Sequence, residues 1–588
     1  FRTTSRRNDD VDDGWLTDVT RYGYQIAGSP ERLRTPLVRR NGKQAPASWD
    51  EALEVIRRRF GEITERKGKV CIGGLASPNL DNAALHAFSK MFRTVLKSNN
   101  LDYRTDYKML PVSADSPYAR LAGRPFRIAD IDTSDVIVTL GSDLVREHQL
   151  EYLRIRKACN FGGARYFTLT PYPVKSADVA EAEIVYRAGT EEVVLTGVGL
   201  AAVEMGLVDK TLAAEFTRKV DPKTLAEASA LCGVDEESLR LLARALNDAR
   251  KVTFFTGEIV SGSTAREVIA SAALNLNRLL AINQRGQMAS LAHYANSVGA
   301  EKLGVGPALE AAVVAKLKAL WGQYPEAEPC TTDKMLALMR KEDIDGFFIV
   351  GANPVMTYPD RQFAIDGLEK LDFLVVCDLF ETATTELADV VLPLASWAEY
   401  AGDYTNLEGR VQRAERAIKP MHQAKSPLEI ITLIAERLGG ELFESDEQME
   451  SEIATLLSLS RVDTPTAEFL PVVPASDEST NGFTLPLFVG DDPHHSGHLT
   501  EKAQSLANFC GEAYIEMSPD LAAKLDVSGG TPVRVESEAG KVVVAVRISD
   551  HIDNDVVLIP RNFAATAVNG LQMRKRRVDR VKISKVVD

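Results

Sequence analysis

Six short apolar runs, each followed by small or polar residues and then by a helical pattern, constrain the fold of this chain most strongly. They are rich in β-branched and aromatic residues, as buried parallel strands are. The runs are Lys69–Gly74, Asp135–Leu140, Ala164–Leu169, Val252–Phe255, Gly346–Val350 and Phe373–Cys377. Strands that alternate with helices build a parallel α/β sheet. Because six strands are too many for one mononucleotide-binding fold, the sequence predicts two Rossmann-like domains.

The last part of the chain follows a different pattern. Short alternating or β-branched runs are separated there by Gly, Asp and Asn, which predicts a small β-barrel. These runs are Ala513–Met517, Pro532–Glu536, Lys541–Arg547 and Asp555–Pro560. The preceding stretch, Glu441–Ala503, is rich in acidic residues, Ser, Thr and Pro and keeps no period. We interpret that stretch as a surface-crossing linker with short elements.

Size and charge narrow the classes of function. A chain of 588 residues is long enough for three or four domains. Its net charge of −14 argues against non-specific binding of nucleic acid. The basic run Arg574–Arg577 is local, and we interpret it as a solvated or subunit-facing patch.

No run of 18 uncharged apolar residues occurs, so no membrane span is predicted. Because the chain starts at Phe1 without Met, we expect its natural N-terminus upstream.

The stretch Asp378–Gln412 carries a family resemblance. It pairs E-T-x-x-x-x-x-A-D-V-V-L-P with G-x-x-x-N-x-E-G-R-V-Q, and this pairing resembles the molybdopterin oxidoreductase superfamily. Within that superfamily, Asn406–Arg410 (N-L-E-G-R) is most similar to the large 75 kDa subunit of respiratory complex I. The resemblance implies that one α/β domain is interrupted by the other, with exchange points near Phe126 and Cys330, and that a dinucleotide-binding barrel follows.

The expected division of the chain follows from that resemblance. Residues 1–45 would be an extended, degenerate remnant of a cluster-binding domain. Residues 46–125 and 331–440 would form the first α/β domain, and residues 126–330 the second. Residues 441–503 would be the linker, and residues 504–588 the barrel.

Two cofactor positions of the superfamily are changed in this sequence. Cluster-bearing relatives place a cysteine ligand where this chain has Thr17 and a lysine where it has Val19. A hydroxyl does not replace a thiolate on iron, so we expect no iron–sulfur cluster here. The loop that supplies the metal ligand in relatives corresponds to Asn99–Pro111, which contains no thiol. Asp106 is the candidate ligand in that loop, and an ordinary polar loop residue is the alternative.

The pterin-binding loops are also only partly kept. Gly141, Ser142 and Asn353 follow strands and retain the small residues that let backbone N–H groups approach an anion, so they are candidates for a vestigial pterin pocket. The acidic residue that relatives use on a nucleotide ribose corresponds to Thr170, and an arginine that relatives keep corresponds to Tyr172. We therefore predict no intact cofactor site, no catalytic residue and no metal ligand.

Two further sequence patterns bear on ligand binding. The histidine cluster His494–His498 (H-H-S-G-H) has a spacing that could trap a metal, and it also resembles the superfamily's approach to its barrel. No G-x-G-x-x-G follows a strand, so direct binding of NAD(P) is not supported.

The resemblance leads to a functional prediction. The chain would be a structural region in the electron-transfer arm of NADH:quinone oxidoreductase, at the cytoplasmic face of the inner cell membrane. Its 2Fe-2S and 4Fe-4S clusters would lie in an upstream part of the full subunit, and FMN would lie in a partner subunit. The expected partners are the flavoprotein, iron–sulfur and quinone-site subunits. Two alternatives stay open: an active molybdopterin enzyme of the formate dehydrogenase type, and a stand-alone binding or assembly protein.

Overall fold

The computed structural model describes residues 3–68, 71–106, 115–459, 468–474, 481–552 and 556–586. The first residues of the predicted strand Lys69–Gly74, the end of the loop Asn99–Pro111 and Asp555 lie outside these ranges.

The strands of the described residues follow in chain order. They are β1 (Leu37–Arg40), β2 (Lys43–Pro46), β3 (Ile72–Ala76), β4 (Leu101–Asp102), β5 (Val136–Leu140), β6 (Arg165–Thr170), β7 (Ala182–Val185), β8 (Val252–Thr256), β9 (Gly286–Ser290), β10 (Gly346–Val350), β11 (Phe373–Asp378), β12 (Val390–Pro393), β13 (Gly402–Thr405), β14 (Val411–Ala414), β15 (Leu485–Gly490), β16 (Tyr514–Met517), β17 (Pro532–Glu536), β18 (Lys541–Ile548), β19 (Val557–Pro560) and β20 (Asp579–Lys585).

The α-helices are α1 (Asp18–Tyr22), α2 (Trp49–Lys67), α3 (Asn82–Lys90), α4 (Pro117–Ala122), α5 (Leu144–Glu147), α6 (Gln149–Gly162), α7 (Glu191–Glu204), α8 (Lys210–Lys219), α9 (Leu225–Cys232), α10 (Glu236–Asp248), α11 (Glu258–Ser261), α12 (Arg266–Leu280), α13 (Ser297–Lys302), α14 (Ala311–Trp321), α15 (Thr332–Met339), α16 (Pro354–Thr357), α17 (Arg361–Leu368), α18 (Pro427–Arg437), α19 (Asp446–Leu457), α20 (Gln504–Cys510) and α21 (Pro519–Lys524). Within the described ranges, no helix combines the length and apolarity that a membrane crossing requires.

Two α/β sheets and a barrel form the architecture, as the sequence predicted. In the described part of the chain, the first sheet has the strand order β2-β1-β12-β11-β10-β3-β4, and the second has the order β7-β6-β5-β8-β9. All pairs of the second sheet are parallel, and so are those from β12 to β4 in the first. The chain leaves the first sheet after β4, builds the whole second sheet, and returns at β10. One sheet therefore interrupts the other.

Close packing explains the glycines in β3. All five residues of this strand are buried, and it pairs in parallel with β10. A Cβ atom on Gly74 would lie 2.3 Å from the ring of Phe92, and one on Gly73 would lie 2.6 Å from the ring of Phe347. Here glycine serves the close approach of aromatic side chains to both faces of the strand.

The N-terminal segment is more structured than the expected extended remnant. Thr17 caps α1 by accepting a hydrogen bond from the Thr20 N–H, so its hydroxyl has a local structural use. Strands β1 and β2 form an antiparallel hairpin, and β1 pairs with β12 at the edge of the first sheet. Strand β1 lies in the segment that was expected to be an extended remnant. Its backbone instead forms hydrogen bonds with β12 and so covers that side of the parallel strands.

Part of the predicted linker also belongs to the packed layers. Helix α19 carries Glu452, whose carboxylate accepts hydrogen bonds from Lys90 and contacts the Nε2 atom of His86 on α3 at 2.8 Å. Strand β15 pairs with β19 and β20 and completes the barrel. The sequence pattern did not identify α19 and β15, because the polar residues of this stretch interrupt the apolar periodicity.

The barrel of the described residues is closed by six strands in the order β15-β19-β16-β18-β17-β20. Partly buried arginines attach it to helices of both α/β units. Arg577 forms ion pairs with Glu191 and Glu192 of α7, and Arg574 contacts Asp333 of α15 at 2.6 Å. The interpretation of Arg574–Arg577 as a solvated or subunit-facing patch is therefore wrong for these two arginines. They neutralise acidic residues of the same chain.

Candidate functional site

A cavity of about 130 Å³ lies where the carboxyl ends of strands from both sheets meet the barrel. Open α/β sheets bind ligands at such edges because the loops that follow the strands converge there. We call it the strand-end cavity. Its lining includes Asp106, Glu147, Tyr172, Glu258, Ile259, Ser261, Gly262, Ser263, His293, Met356, Thr357, Pro359, Phe488, Val489, Gly490, Arg561, Asn562, Asn569, Gln572 and Arg577.

Arg561 is the centre of an ion-pair network in this cavity. It follows β19 of the barrel, and its Nε atom donates to Asp491 at 2.6 Å. Its Nη2 atom donates to both carboxylate oxygens of Glu258, at 2.6 and 2.8 Å. Glu258 follows β8 of the second sheet, so a single guanidinium joins the barrel to that sheet. Such charge-assisted bonds are short and strong when they are buried.

His293, in the loop after β9, completes this network. Its Nδ1 atom contacts the Glu258 carboxylate, and its Nε2 atom lies 3.5 Å from Asp491. Burial disfavours the charged imidazole, but Glu258 outweighs burial and raises the pKa of His293 to about 9. Burial also works against the ionised form of Glu258. Arg561 and His293 outweigh it and hold the pKa of Glu258 well below its ordinary value.

The carboxyl group of Glu147 lies at the turns after β5 and β8, where backbone N–H groups could otherwise bind an anionic ligand. Its carboxyl group accepts hydrogen bonds from the N–H of Asp143 (3.1 Å), the N–H of Glu258 (3.0 Å) and the hydroxyl of Ser142 (2.9 Å). These donors are of the kind that would otherwise be offered to a phosphate. Burial and the neighbouring Glu258 raise the pKa of Glu147 to about 8. One carboxyl of this pair therefore holds a proton at neutral pH while the other is ionised.

The structure gives protein partners to the predicted pocket residues. Gly141 adopts a positive φ of 62° in the turn after β5, and Ser142 bonds to Glu147 as described. Asn353 accepts a hydrogen bond from the hydroxyl of Thr384 at 2.6 Å. The hydrogen bonds of Ser142 thus stay with the second sheet, and those of Asn353 stay with the first. Their role in a vestigial pocket remains a prediction.

Asp106, the candidate metal ligand, does reach the strand-end cavity. The hydroxyl of Tyr294 donates to its Oδ2 atom, and the Nη1 atom of Arg561 lies 4.0 Å from the same oxygen. Its Oδ1 atom is buried and has no hydrogen-bond partner among the described residues. Tyr172, where relatives keep an arginine, packs its ring against Phe488 with a centroid distance of 5.1 Å.

The histidine cluster does not converge on one point. His495 shares a hydrogen bond of 2.8 Å with Thr500, and the Nε2 atom of His498 lies 4.0 Å from Asp378. His494 lies 3.6 Å from Asp18 on α1. Because the three imidazoles contact three different parts of the molecule, this loop does not form a chelating site by itself.

A molybdopterin dinucleotide does not fit this arrangement. Pockets for drug-sized ligands hold roughly 300 Å³ or more, and the strand-end cavity holds about 130 Å³. The carboxylates of Asp106 and Glu258 line the cavity and would face the phosphates of the cofactor, and like charges at close range repel. Glu147 already accepts hydrogen bonds from the N–H groups of Asp143 and Glu258 at the turns of the second sheet. The residues present thus do not suit the cofactor.

The motif N-L-E-G-R has a structural use near this site. The side chain of Asn406 accepts hydrogen bonds from the N–H groups of Glu408 and Arg410 and so fixes the turn between β13 and β14. Glu408 then accepts a hydrogen bond from the N–H of Ile128 at 3.1 Å. The motif therefore holds the β13–β14 hairpin against the segment that precedes the second sheet.

Sequence reasoning did not select Glu258, His293, Asp491 and Arg561 as site residues. They are spread over about 300 positions, and His293 lies far in sequence from the cluster His494–His498. A usable signal was present for two of them. Glu258 follows Thr256-Gly257 directly after a predicted strand, and Arg561 follows the strand that ends at Pro560. Charged residues in those positions belong to the ligand-binding edge.

Comparison with known proteins identifies the family. Residues 32–437 match the model of the molybdopterin oxidoreductase family, and residues 491–584 match that of the molydopterin dinucleotide binding domain. The chain therefore belongs to the molybdopterin oxidoreductase family. Over its full length it superposes on acetylene hydratase from Pelobacter acetylenicus with a TM-score of 0.78, at 17% sequence identity and with 98% of that chain covered. This likeness concerns the fold.

Several curated relatives are oxidoreductase subunits. The G 2 subunit of NADH-quinone oxidoreductase from Rhizobium meliloti is 29% identical over 94% of this chain, which spans only 66% of that relative. The alpha subunit of NADPH-Fe(3+) oxidoreductase from Geobacter sulfurreducens is 26% identical over 96% of this chain and 69% of its own length. The alpha subunit of F420-dependent formate dehydrogenase 1 from Methanococcus maripaludis is 27% identical, with 93% of this chain and 89% of the relative covered.

Proposed function

We propose that this chain is a non-catalytic region of the large 75 kDa type of subunit in an NADH:quinone oxidoreductase, where it packs the peripheral arm. The observation that carries the proposal is the small strand-end cavity, of about 130 Å³, beside a network of ion pairs. Arg561, Glu258, His293 and Asp491 bond to one another at the strand ends, where open α/β sheets bind ligands, and they tie the barrel to the second sheet. In this proposal the fold is kept for packing and docking, since the same fold can serve different functions.

The whole complex would supply the electron path. In this proposal 2Fe-2S and 4Fe-4S clusters lie in an upstream part of the full subunit, and FMN lies in a partner subunit. The partners are the flavoprotein, iron–sulfur and quinone-site subunits, and the assembly sits at the cytoplasmic face of the inner cell membrane. The relative from Rhizobium meliloti supports this proposal, and Thr17 in the place of a cluster cysteine is consistent with it.

Co-purification tests the proposal. The chain would be tagged in its native gene and purified from detergent-solubilised membranes. We expect it to elute with a flavin-containing subunit, and we expect the eluate to oxidise NADH with a quinone acceptor. A tagged chain that elutes alone from membranes and cytosol would contradict the proposal and would favour a stand-alone protein. The untagged strain is the control for carry-over of membrane complexes.

One relative favours a second candidate, a formate dehydrogenase-like enzyme. The formate dehydrogenase subunit of Methanococcus maripaludis is covered over 89% of its length. Such an enzyme would need bound molybdopterin and a metal ligand, for which Asp106 is the candidate. Formate-dependent reduction of an artificial dye by the purified chain would support this candidate, and its absence in molybdenum-replete cells would weigh against it.

A further inference from the structure

Three side chains from separate loops converge beside the strand-end cavity, and two of them, Glu258 and His293, line it. Glu258 follows β8, His293 follows β9, and Asp491 follows β15. One imidazole nitrogen and one oxygen from each carboxylate lie within 4.8 Å of one another. The side chains are only 16%, 13% and 8% exposed, respectively. The three groups are therefore built into the molecule and are not a solvated acidic face.

The formal charges around this point do not balance. Glu258, Asp491 and Asp106 contribute three negative charges, and Arg561 contributes one positive charge. Arg577 also reaches the cavity, but its charge is engaged with Glu191 and Glu192. The protonated imidazole of His293 adds one positive charge, so the buried sum is −1, and it becomes −2 when His293 releases that proton to bind a metal. Buried charges are costly unless they are paired or coordinate a metal, and one divalent cation would bring this sum to zero.

Hydrogen bonds from Arg561 hold the two carboxylates in fixed orientations, as the ligands of a metal site require. The guanidinium of Arg561 donates to the Oδ1 atom of Asp491, which leaves Oδ2 on the side of His293. It also orients Glu258. Carboxylates that bind metals are commonly fixed by such outer hydrogen bonds. Independently, the buried Oδ1 atom of Asp106 lacks a hydrogen-bond partner among the described residues, although Asp106 lines the same cavity and its side chain is only 9% exposed.

We propose that Glu258, His293 and Asp491 bind one divalent first-row transition-metal ion directly, without a pterin. One imidazole and two carboxylates form a nitrogen–oxygen donor set of the kind that Zn²⁺ and Mn²⁺ accept. Asp106 faces the same space and would hold a water ligand of the metal. The cavity of about 130 Å³ has room for such water, since a water molecule takes roughly 30 Å³. This site goes beyond the proposed function and does not depend on it.

Zinc titration of the purified full chain tests the proposal. After removal of metals with a chelator, ZnCl₂ would be added, and bound zinc would be counted by mass spectrometry after gel filtration. We expect about one zinc per chain. His293→Gln should weaken binding by at least about tenfold, because it removes the nitrogen ligand. Two controls with the same substitution, His422→Gln at an exposed position and His494→Gln in the histidine cluster, should bind as the wild type does.

X-ray absorption at the zinc edge keeps the test valid if His293→Gln does not fold. Zinc bound to the wild-type chain should show one imidazole and oxygen ligands at about 2.0–2.2 Å, and no sulfur. The absence of stoichiometric zinc in the wild type would overturn the proposal, as would a sulfur or multi-imidazole spectrum, or binding by a folded His293→Gln chain equal to that of the controls. None of these outcomes depends on pterin or on partner subunits, so failure here leaves the proposed function standing.

Discussion

Replacing Arg561 by Met should release the barrel from the second sheet. Met keeps much of the volume of the arginine stem but removes the guanidinium that bonds to Glu258 and Asp491. Both carboxylates would then stay buried without that partner. Removing one member of a buried ion pair costs about 3–5 kcal/mol. Because Arg561 is 17% exposed, we expect the lower end, about 3 kcal/mol, in the metal-free chain.

Hydrogen–deuterium exchange measures this effect where it arises. A protein of several packed units does not unfold in one step, so a local observable is preferable to a single melting temperature. A loss of about 3 kcal/mol corresponds to exchange that is about a hundredfold faster. We expect that acceleration at the backbone N–H groups of Val557, Leu558 and Ile559 in β19, since Pro560 has none. The strands of the first sheet should keep their wild-type protection.

Two further variants distinguish the effect of breaking the buried ion-pair network from the effect of removing any one positive charge. Arg57→Met removes an exposed arginine that pairs with Glu54 on α2, and it should leave exchange unchanged. The double variant Arg561→Met with Glu258→Gln also removes one of the two carboxylates that lose their partner. Part of the protection of β19 against exchange should therefore return. Exchange of β19 in Arg561→Met within about threefold of wild type would refute the idea that this network holds the barrel.

Two more changes test the packing and electrostatics around the strand ends. Burial raises the pKa of Asp378 to about 7 from its ordinary value of 3.8, so the folded chain retains a proton that the unfolded chain releases, and stability should fall as pH rises from about 4 to about 7. Asp378→Asn should flatten that dependence in urea midpoints, and an unchanged slope would contradict the assignment. Gly257→Ala would place a Cβ atom 2.3 Å from Ser142 and 2.7 Å from Glu147, so it should cost about 1–3 kcal/mol. Gly529→Ala has open space around it and should be neutral, and equal melting temperatures for both variants would argue against the tight turn.

Most of the fold could be predicted from the sequence because each buried strand appears as a short, local run of apolar residues. The six predicted runs correspond to strands β3, β5, β6, β8, β10 and β11 in the parallel parts of the two sheets, and the barrel follows where short β-branched runs begin. Strand β9 (Gly286–Ser290) was missed because G-Q-M-A-S lacks β-branched residues, although the strand is mostly buried. The hairpin of β1 and β2 was missed because its strands are short and polar. Their pairing depends on the long-range contact of β1 with β12.

The candidate site was only partly predictable. Asp106 was identified from its place in a loop, and the structure places it in the strand-end cavity. The ion-pair network could not be seen, because Glu258 and Arg561 are about 300 positions apart and belong to different units. Local spacing also suggested that the arginines of Arg574–Arg577 faced outward. Arg577 instead pairs with buried acids of α7, which only the docked barrel brings near.

Metal and pterin analysis of the purified chain tests the central claim most directly. Molybdenum and tungsten would be measured by mass spectrometry, and pterin by its fluorescence after oxidation, in protein from cells grown with ample molybdate. Because the strand-end cavity holds only about 130 Å³ and is lined by carboxylates, we expect no molybdenum, tungsten or pterin above the background of an unrelated protein purified in parallel. Near-stoichiometric molybdenum or tungsten together with pterin would contradict the claim and would make Asp106 the first residue to examine as a metal ligand.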